Sequence, residues 1–322
     1  MSSEYFIAGD WGTSNLRLYL CEYNVQQSKT TVIAEKSGRG VAVIAKQDQA
    51  NFEAAFFSLT QEWFDQYTIR STLLSGMIGS NIGWKLAPYA GCPGTTLSMS
   101  QNCLQFTSRD HPIFIVSGLK CTNPLGEFDV MRGEELQLLG WLLLNPHSHD
   151  PRLIVLPGTH NKWVLVQGRQ ITTFMTTFTG ELFALLSEHS VLIQAANPHT
   201  EDHWQSFESA LDLSLNNTRH ELIQTLFSTR SRQISGQLKP QHARDYLSGL
   251  ILGHEVRGAI EQFAAYFEGI CSVPIVLIGD AALCARYTRV LQRFAQVEAT
   301  HYPSTDIAIS GFQAVYQAPL NS

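Results

Sequence analysis

Apolar and polar positions near the start of the chain follow a pattern that predicts a β-hairpin. Residues 5–8 are a short apolar run, which is typical of a buried strand, and a polar turn follows them. Leucines then occupy every second position from 16 to 20. Period-two alternation after a glycine-containing turn predicts an antiparallel return strand that is half buried.

The same arrangement returns in the second half of the chain. Residues 153–166 repeat the order of apolar run, polar turn and apolar run. The aligned turn positions are Gly12 with Gly158, Thr13 with Thr159, and Asn15 with Asn161. The copies lie 146 positions apart, close to half of the 322-residue chain, which indicates two related halves that each open with a hairpin. Two unrelated hairpins with common turn residues stay the alternative.

A third strand and several helices complete the pattern. Residues 274–278 are apolar, and the turn Gly279-Asp280 precedes a helix that starts at Ala281. Apolar spacing predicts helices over 133–144 and 245–267. Strands that alternate with helices place the chain in the α/β class. The proline-bounded polar segment 145–151 is the best candidate for a domain boundary.

Composition and charge narrow the class of protein. The length suggests about two domains. The chain has 44% hydrophobic residues, which is typical of a folded protein and not of a disordered one. Its net charge of −6 gives no positive electrostatic potential that would attract nucleic acid or anionic membranes. No Lys or Arg precedes Glu4, so we expect no signal peptide, and the longest apolar run, 138–144, is too short to span a membrane. Six cysteines without a C-x-x-C pair predict reduced thiols and a cytoplasmic location.

Several familiar sites are missing from the sequence. It contains no P-loop motif, no complete G-x-G-x-x-G and no serine flanked by glycines in a nucleophile elbow. His147, His149 and Asp150 form the densest group of metal-ligand types, but they lie in the proline-bounded segment. A solvated loop is the better interpretation of that group than a metal site.

The two glycine-bearing turns have the chemistry to hold a polyphosphate. Glycine lets backbone N–H groups approach phosphate oxygens closely. Short polar side chains add donors, namely those of Thr13, Ser14, Asn15, Thr159 and Asn161. Asp10, before the first turn, suits a hydrated Mg²⁺, and the second copy has Leu156 there instead. Arg17 and Lys162 are candidates for neutralising the phosphate charge.

Three carboxylates are candidates for acid–base work. Glu134 and Glu135 follow Arg132 upstream of the second turn, where they suit a general base and its orienting partner. Acidic residues in a first helical turn also complement the helix dipole, and both interpretations stay open. Glu181 is a further candidate, although Thr-Gly-Glu before an apolar run is also an ordinary helix start.

A glycine-rich stretch, residues 75–85, follows a predicted strand at 72–74. In this stretch Asn81 could bond hydroxyls, Trp84 could form an apolar wall and Lys85 could pair with an anion, so it could wrap a small polar ligand. A flexible connection is the alternative, which the large Trp84 disfavours.

Taken together, these motifs resemble those of a known family. Residues 10–17 resemble the first phosphate motif of the sugar kinase, heat-shock protein and actin superfamily, 157–164 its second phosphate motif, and 276–283 its adenosine motif. The set is similar, more narrowly, to the 2-dehydro-3-deoxygalactonokinase family. The matching stretches are DWGTxNLR (10–17), GMIGSNxGWKxAPY (76–89), MRGEExQxxG (131–140), PGTHxKWV (157–164) and TGEL (179–182). Gly9 and Asp280 depart from the family pattern.

The resemblance implies ATP- and Mg²⁺-dependent phosphorylation of the C6 hydroxyl of 2-dehydro-3-deoxy-D-galactonate in galactonate breakdown. It implies two ribonuclease-H-like domains, 1–146 and 151–305, with a nucleotide cleft between them and with 306–322 packing back on the first. Alternatives are a kinase for the gluconate epimer, a polyphosphate or nucleotide phosphatase, and a sugar-acid sensor. The oligomeric state is not readable from the sequence, and a homodimer stays open.

The resemblance also assigns roles to individual residues. Asp10 would hold the metal ion, and Glu134 or Glu135 would accept the C6 proton. The nucleotide would contact Gly12, Thr13, Ser14, Asn15, Arg17, Gly158, Thr159, His160, Lys162, Gly279, Asp280 and Ala281. The sugar acid would contact Asn81, Trp84, Lys85, Arg132 and Glu181.

Overall fold

The computed structural model describes residues 3–46, 51–193, 202–215, 220–267, 274–295, 297 and 299–318. The chain divides into two compact units. Unit 1 comprises Met1–Asp150, Val166–Thr173 and Ser304–Ser322, and unit 2 comprises Pro151–Leu165 and Phe174–Pro303. Val166–Thr173 therefore belong to unit 1, whereas the sequence predicts them within the second domain, 151–305.

The strands are short in most places and are numbered in chain order. They are β1 (Ser3–Trp11), β2 (Asn15–Asn24), β3 (Lys29–Arg39), β4 (Ile69–Ser75), β5 (Tyr89–Gly91), β6 (Leu104–Ser108), β7 (His111–Ile115), β8 (Gly118–Thr122), β9 (Phe128–Met131), β10 (Arg152–Leu156), β11 (Asn161–Gln167), β12 (Gln170–Thr177), β13 (Ile275–Gly279) and β14 (Ala299–Pro303).

The α-helices are numbered in the same way. They are α1 (Val41–Ala45), α2 (Phe52–Gln66), α3 (Thr96–Gln101), α4 (Glu134–Leu144), α5 (Thr179–His189), α6 (Trp204–Leu215), α7 (Leu222–Leu226), α8 (Ser228–Ile234), α9 (Ala243–Phe263), α10 (Ala281–Ala295) and α11 (Ser304–Gln317). Short 3₁₀ turns cover Met77–Gly79, Pro240–His242 and Ala264–Phe267. Among these described helices, none combines the length and the apolar character needed to cross a membrane.

The two main sheets share an order of five strands, and the first has β6 as an additional antiparallel edge strand. The first runs β3-β2-β1-β4-β7-β6, with β1, β4 and β7 parallel and β2 antiparallel to β1. The second runs β12-β11-β10-β13-β14, with β10, β13 and β14 parallel. Three strands that are consecutive in sequence, followed by parallel strands reached through helical crossovers, are therefore repeated. This repetition confirms the predicted α/β class and the two ribonuclease-H-like domains.

Both predicted hairpins are present, and each has its Gly-Thr turn between the first two strands of a sheet. β1 extends to Trp11, so Asp10 lies near the end of this strand and before the turn, as the sequence predicts. A small third sheet in unit 1, β5-β8-β9, is not predicted from the sequence.

Each unit has its own apolar core. Ile7, Trp11 and Phe56 are fully buried in unit 1, as are Trp163 and Phe207 in unit 2. The family departure at Gly9 has a packing cause. A Cβ on Gly9 would lie 2.6 Å from a methyl of Leu74 and 2.9 Å from a methyl of Leu18, so these leucines fill the space of the missing side chain.

The described cysteines are free thiols: Cys21, Cys92, Cys103, Cys121 and Cys284. The sixth, Cys271, lies outside the described residues.

Helices α4 and α11 cross at a pair of glycines within unit 1. A Cβ on Gly140 of α4 would lie 1.9 Å from the carbonyl oxygen of Ile307, and one on Gly311 of α11 would lie 2.0 Å from that of Leu136. The two backbones can approach this closely only because both positions lack a side chain. The contact fixes the start of α4, where the candidate carboxylates lie.

Candidate active site

The first Gly-Thr turn is held in place by hydrogen bonds to the start of α1. The N–H of Gly12 donates to the Asn15 carbonyl oxygen at 2.9 Å and closes the turn. The carbonyl oxygens of Gly12, Thr13 and Ser14 accept hydrogen bonds from the N–H groups of Val41, Ala42 and Gly40, respectively, at 3.0 Å each. These three carbonyl oxygens therefore point toward α1 and away from the exposed side of the turn, where the side chains face solvent. That arrangement suits an anionic ligand.

Asp10 lies at the end of β1, between Arg17 of β2 and Ser75 of β4 in the sheet register. Burial raises the pKa of the Asp10 carboxyl above its usual value, and the charge of Arg17 opposes this effect. Gly76, with φ of +90°, follows Ser75. A Cβ on Gly76 would lie 3.3 Å from Asp10 Oδ1 and 2.9 Å from the Trp11 carbonyl oxygen, so the glycine keeps this flank of the carboxylate open.

The start of α4 joins the same cluster through two glycines. Gly133 has a φ of +114°, and a Cβ on it would lie 3.5 Å from the Cα of Gly76. Ser75 Oγ donates to Glu135 Oε1 at 3.3 Å, which connects the end of β4 to α4. The structure therefore brings together Asp10 and the Glu134-Glu135 pair, which the sequence suggests only as separate motifs. Ser75 is the member that sequence reasoning misses, because a buried serine at a strand end carries no signal of its own.

The two glutamates have different surroundings. Glu135 is 0% exposed, and its Oε2 accepts the N–H of Gly133 at 2.6 Å. Burial first, and then the nearby Glu134, raise the pKa of Glu135 to about 8. Glu134 is only half-buried, and its Oε2 accepts the N–H of Arg132 at 3.2 Å. Glu134 is therefore the glutamate of the pair that a ligand can reach in this conformation.

The glycine-rich loop that follows β4 is held by its own backbone. The N–H and the hydroxyl of Ser80 both donate to the Met77 carbonyl oxygen, and the N–H of Ala87 donates to the Gly79 carbonyl oxygen at 2.9 Å. A Cβ on Gly83 would lie 2.1 Å from the Ile78 carbonyl oxygen, so the loop folds tightly on itself. This geometry favours an ordered loop over the flexible connection.

The candidate ligand residues of this loop differ in their contacts. Trp84 packs edge-on against Phe106, with ring centres 5.2 Å apart, and also contacts Phe56. Lys85 Nζ lies 4.9 Å from the centre of the Phe106 ring, and Asn81 is exposed. Trp84 thus belongs in part to the apolar core, while Asn81 and Lys85 face solvent.

Arg132 binds the far end of the same loop. Its guanidinium carbon lies 4.3 Å from the centre of the Tyr89 ring, and Nη2 donates to the Ala87 carbonyl oxygen at 2.8 Å. Nη1 is buried and has no hydrogen-bond partner within the part of the chain that the structure describes. Arg132 therefore both shapes the loop and keeps an unused donor.

The second Gly-Thr turn is anchored by α5 and by a side chain. Asn161 Oδ1 accepts the N–H of Gly158 at 2.6 Å, and the Thr159 carbonyl oxygen accepts the N–H of Glu181 at 2.9 Å. A Cβ on Gly180 would lie 2.1 Å from the Gly158 carbonyl oxygen, so the start of α5 packs directly on the turn. The position of Gly158 thus depends on these contacts.

Three predicted ligand residues in unit 2 have protein partners. The ring of His160 stacks on Phe178 and its Nε2 lies 2.5 Å from Glu181 Oε2. Glu181 therefore lies beside the second turn, in a different unit from the other four predicted sugar-acid residues. Lys162 is buried in β11, and its Nζ donates to Thr176 Oγ1 at 2.9 Å. A contact between Lys162 and phosphate would require a change in this arrangement.

A cavity of about 250 Å³ lies beside the second turn within unit 2. Its lining combines apolar side chains with charged and polar groups: Gly158, Asn161, Thr179, Gly180, Phe183, Arg244, Asp245, Ser248, Ile251, Leu252, Leu283, Arg286 and Tyr287. Arg286 donates to the buried Asp245 at 2.7 Å. Most of these residues come from α9 and α10, and of these only Leu283 belongs to a sequence motif, the one at 276–283.

Asp280 has a structural role at the start of α10. Its Oδ1 accepts the N–H groups of Ala282 and Leu283, both at 3.0 Å, as a helix-capping side chain does. The departure from the family pattern at Asp280 is therefore compatible with the start of α10, because the side chain caps this helix. Gly279 and Ala281 flank this cap, and α10 reaches the cavity one turn later at Leu283.

The donors available for a metal ion are few. Among the described residues, no group of three or more His, Cys, Asp or Glu side chains is placed to hold one. Mg²⁺ does not need such a cage, since it is commonly held by one or two carboxylates together with waters and phosphate oxygens. Asp10, with its open flank at Gly76, fits that mode of binding.

The repeated sheet order, with a Gly-Thr turn in each copy, places the protein in the duplicated ribonuclease-H-like class. A family model described as 2-keto-3-deoxy-galactonokinase matches residues 10–315. The chain belongs to this family, which is one of kinases that use ATP as co-substrate.

Individual relatives agree with that assignment. The 2-dehydro-3-deoxygalactonokinase of Escherichia coli (strain K12) is 35% identical over 287 residues, covering 89% of each protein. A protein of Rhizobium meliloti (strain 1021), described as a probable 2-dehydro-3-deoxygalactonokinase, is 29% identical over 295 residues. A crystal structure of a Sinorhizobium meliloti protein with the same provisional description aligns with a TM-score of 0.81, at 26% identity, over 97% of this chain and 98% of that one. Membership of a kinase family sets aside the phosphatase and sensor alternatives.

Proposed function

We propose that the protein transfers the γ-phosphoryl group of ATP to the C6 hydroxyl of 2-dehydro-3-deoxy-D-galactonate in galactonate catabolism. The C6 oxygen forms the new bond to phosphorus, the bond to the β-phosphate oxygen breaks, and ADP leaves. The hydroxyl proton passes to a protein carboxylate. The observation that carries the proposal is the duplicated Gly-Thr turn with Asp10 before the first copy only, in a chain of this family.

The proposed nucleotide contacts are the first Gly-Thr turn in unit 1 and, in unit 2, the second turn with the cavity beside it. The side chains of Thr13, Ser14 and Asn15 are exposed. The backbone carbonyl oxygens of Gly12, Thr13 and Ser14 accept hydrogen bonds from N–H groups at the start of α1. The cavity beside Gly158 has apolar walls for a base and charged groups at Arg244 and Arg286 for polar contacts. We assign this cavity to the nucleoside part of ATP, with Gly279 to Ala281 supporting it through the start of α10.

Asp10 would hold Mg²⁺, with Arg17 alongside it. Bound there, the ion would neutralise phosphate charge and orient the phosphoryl group. The chain's own contribution is a carboxylate fixed at a strand end, with Gly76 leaving room on one side.

Glu134 would accept the proton of the C6 hydroxyl. It is the accessible member of the pair, and its Oε2 already accepts one hydrogen bond from the Arg132 backbone, which orients it. Glu135, which is fully buried, would instead hold the start of α4 in position through Gly133 and Ser75. Positioned proton transfer of this kind typically contributes about 10²–10⁴ in rate.

The acid would be recognised by the loop after β4. Asn81 and Lys85 face solvent there, and Trp84 supplies apolar surface. Arg132 shapes the end of this loop through Ala87, and its buried Nη1 would reach an anionic group only if the loop moved. Glu181 is the least supported member of this set, because His160 already contacts it.

We place this activity in the cytoplasm, where ATP is available to the enzyme. The free thiols at the five described cysteines support a reducing compartment. Fractionation of the source cells, with the activity in the cytosolic fraction, would test this location.

The test of the function is ADP release by the purified protein with Mg-ATP and each of the two epimeric 2-keto-3-deoxy acids in separate reactions. We expect release with the galactonate-derived acid and a 6-phosphate product by ³¹P NMR. Release with the gluconate-derived acid alone would shift the proposal to that epimer. Release with neither, by protein that binds ATP, would refute the proposed acceptor.

A further inference from the structure

Glu255, in the middle of α9, receives hydrogen bonds from four side chains of unit 2. Its Oε1 accepts Trp163 Nε1 and Thr177 Oγ1, both at 2.7 Å. Its Oε2 accepts the hydroxyl of Tyr287 at 2.7 Å. Asn161 Nδ2 lies 3.1 Å from both oxygens. Such a concentration of donors on one carboxylate is more than a helix needs for its own stability.

The donors come from three separate elements. Asn161 and Trp163 belong to β11, Thr177 ends β12, and Tyr287 lies in α10. Trp163 and Tyr287 are 0% exposed and Asn161 is 2% exposed, whereas Glu255 and Thr177 are half-buried, so three of the four donor side chains are removed from water. Burial, followed by the charge of Glu255, raises the pKa of Tyr287 well above its usual value, so this hydroxyl stays a donor.

The carboxylate determines which way the Asn161 amide points. An ionised carboxylate only accepts hydrogen bonds, so Asn161 must turn its NH₂ group toward Glu255. Asn161 Nδ2 also donates to the Tyr287 hydroxyl. The amide oxygen is then directed to the opposite side, where it accepts the N–H of Gly158 at 2.6 Å. Reversal of the amide would place an NH₂ group against this N–H and would break the bond.

We propose that Glu255 is a positioning residue for nucleotide binding, which acts through Asn161 on the second Gly-Thr turn. The inference rests on the proposed function, in which this turn holds phosphate oxygens of ATP. Glu255 fixes the Asn161 amide, and Asn161 fixes Gly158, so the turn is preorganised before the nucleotide binds. Glu255 belongs to none of the sequence motifs, because it contacts Asn161 across 94 positions of the chain.

The variant Glu255→Gln tests this directly. Glutamine keeps the size of the side chain but replaces one acceptor oxygen by a donor, which opposes the NH₂ of Asn161 and the Tyr287 hydroxyl. We expect the Kd for Mg-ATP, measured by calorimetry, to rise about tenfold or more, as loss of a charge-assisted hydrogen bond implies. The KM for the sugar acid should stay within about twofold, since that loop lies in unit 1. Glu261→Gln, an exposed change of the same kind on the same helix, is the control.

A second variant separates positioning from general stability. Asn161→Asp alone places two carboxylates together and should weaken ATP binding to a similar extent. In the double variant Asn161→Asp/Glu255→Gln, the glutamine NH₂ again faces a carboxylate, and the second oxygen of the introduced aspartate can accept the Gly158 N–H. We expect the double variant to recover ATP affinity to within about threefold of wild type, as a strongly coupled pair should.

Each outcome decides the inference. An unchanged Kd for ATP in folded Glu255→Gln would refute it, as would a double variant that is folded but still binds ATP weakly. If Glu255→Gln does not fold, the double variant alone gives the answer. Wild-type protein that binds ATP but phosphorylates neither acid would refute the proposed acceptor and leave the calorimetric test of Glu255 intact. Wild-type protein that does not bind ATP would refute both.

Discussion

Asp10 is buried enough for its pKa to rise, and yet one flank is kept open by Gly76. These features favour a carboxylate that works with a bound cation. We expect Asp10→Asn to lower kcat by on the order of 100-fold or more, since a metal-held phosphoryl group is worth several kcal/mol. A Mg²⁺ titration of kcat measures this. Asp65→Asn, an exposed change in α2, is the control, and unchanged turnover in Asp10→Asn would exclude the metal role.

The glutamate pair makes a sharper prediction. Glu134→Gln should reduce kcat by about 10²–10⁴, because the base is lost. Glu135→Gln should reduce it less than about tenfold, because amide and protonated carboxyl groups have the same shape and Glu135 has no access to a ligand. Steady-state kinetics at saturating ATP compares them. A larger loss of kcat in Glu135→Gln than in Glu134→Gln would make Glu135 the base. Equal and mild losses in both variants would exclude both glutamates as the base.

The buried member of this pair also predicts a pH dependence of stability. Glu135 has a pKa of about 8 in the folded protein against 4.5 as its ordinary value. Between these values the folded state holds a proton that the unfolded state has lost, so stability falls as the pH rises through this window. Glu135→Gln removes the effect. Its Tm relative to wild type should therefore increase from pH 5 to pH 8, as measured by calorimetry without nucleotide, and a constant difference would contradict the prediction.

At the scale of single elements, the sequence predicts a helix or strand correctly where its apolar residues recur with a clear period or where a glycine-containing turn marks its end. Both hairpins, α4 and the long α9 follow from such patterns. The sheet β5-β8-β9 does not, because β5 has three residues and β9 has four, too few for a period to be visible. The contact between α4 and α11 also leaves no local signal, since a glycine in a helix is explained only by its partner.

The contact at Gly140 predicts that Gly→Ala substitution changes the free energy of unfolding in opposite directions at Gly140 and at Gly258, a helical glycine with open space around it. Gly140→Ala would place a methyl group 1.9 Å from the Ile307 carbonyl oxygen, and we expect a loss of about 3 kcal/mol or more in the free energy of unfolding. Gly258→Ala in α9 meets no atom within 4 Å and should stabilise by about 0.5–1 kcal/mol, the usual gain of helix propensity. Urea denaturation measures both. Equal effects would show that the close approach of the helices is not what limits Gly140.

At the scale of the whole molecule, the sequence motifs located the two turns and the candidate metal ligand but not the surroundings that hold them. Asp10, Gly12 and Gly158 stand in short contiguous motifs. Glu255, Asp245 and Arg286 become neighbours of the second turn only when α9 and α10 pack in unit 2. Contacts between residues that are distant in sequence have no local pattern, so they could not be predicted from one chain.

The return of the last helix to unit 1 makes that unit dependent on the end of the chain. α11 buries Ile307, Phe312 and Val315, and the Tyr316 ring stacks on Phe6 with centres 4.3 Å apart. Burial of three such side chains contributes about 5–9 kcal/mol, which is comparable to the whole stability of a domain.

A chain ended at Pro303 should therefore lack a folded unit 1. We expect it to be insoluble or to lose the cooperative thermal transition of that unit, as measured by circular dichroism and calorimetry. A chain ended at Ala318 keeps all of α11 and is the control. A soluble protein with an unchanged transition after truncation at Pro303 would contradict the prediction.

The free thiols provide built-in reporters of local opening. Burial raises the pKa of Cys21 and Cys103 in unit 1 to about 12, and that of Cys284 in unit 2 to about 11. Because the thiolate is the reactive form, these side chains are nearly inert toward alkylating reagents while the protein is closed. Their modification rates in native buffer therefore measure how often each unit opens, and peptide mapping assigns each rate to its unit without an introduced label.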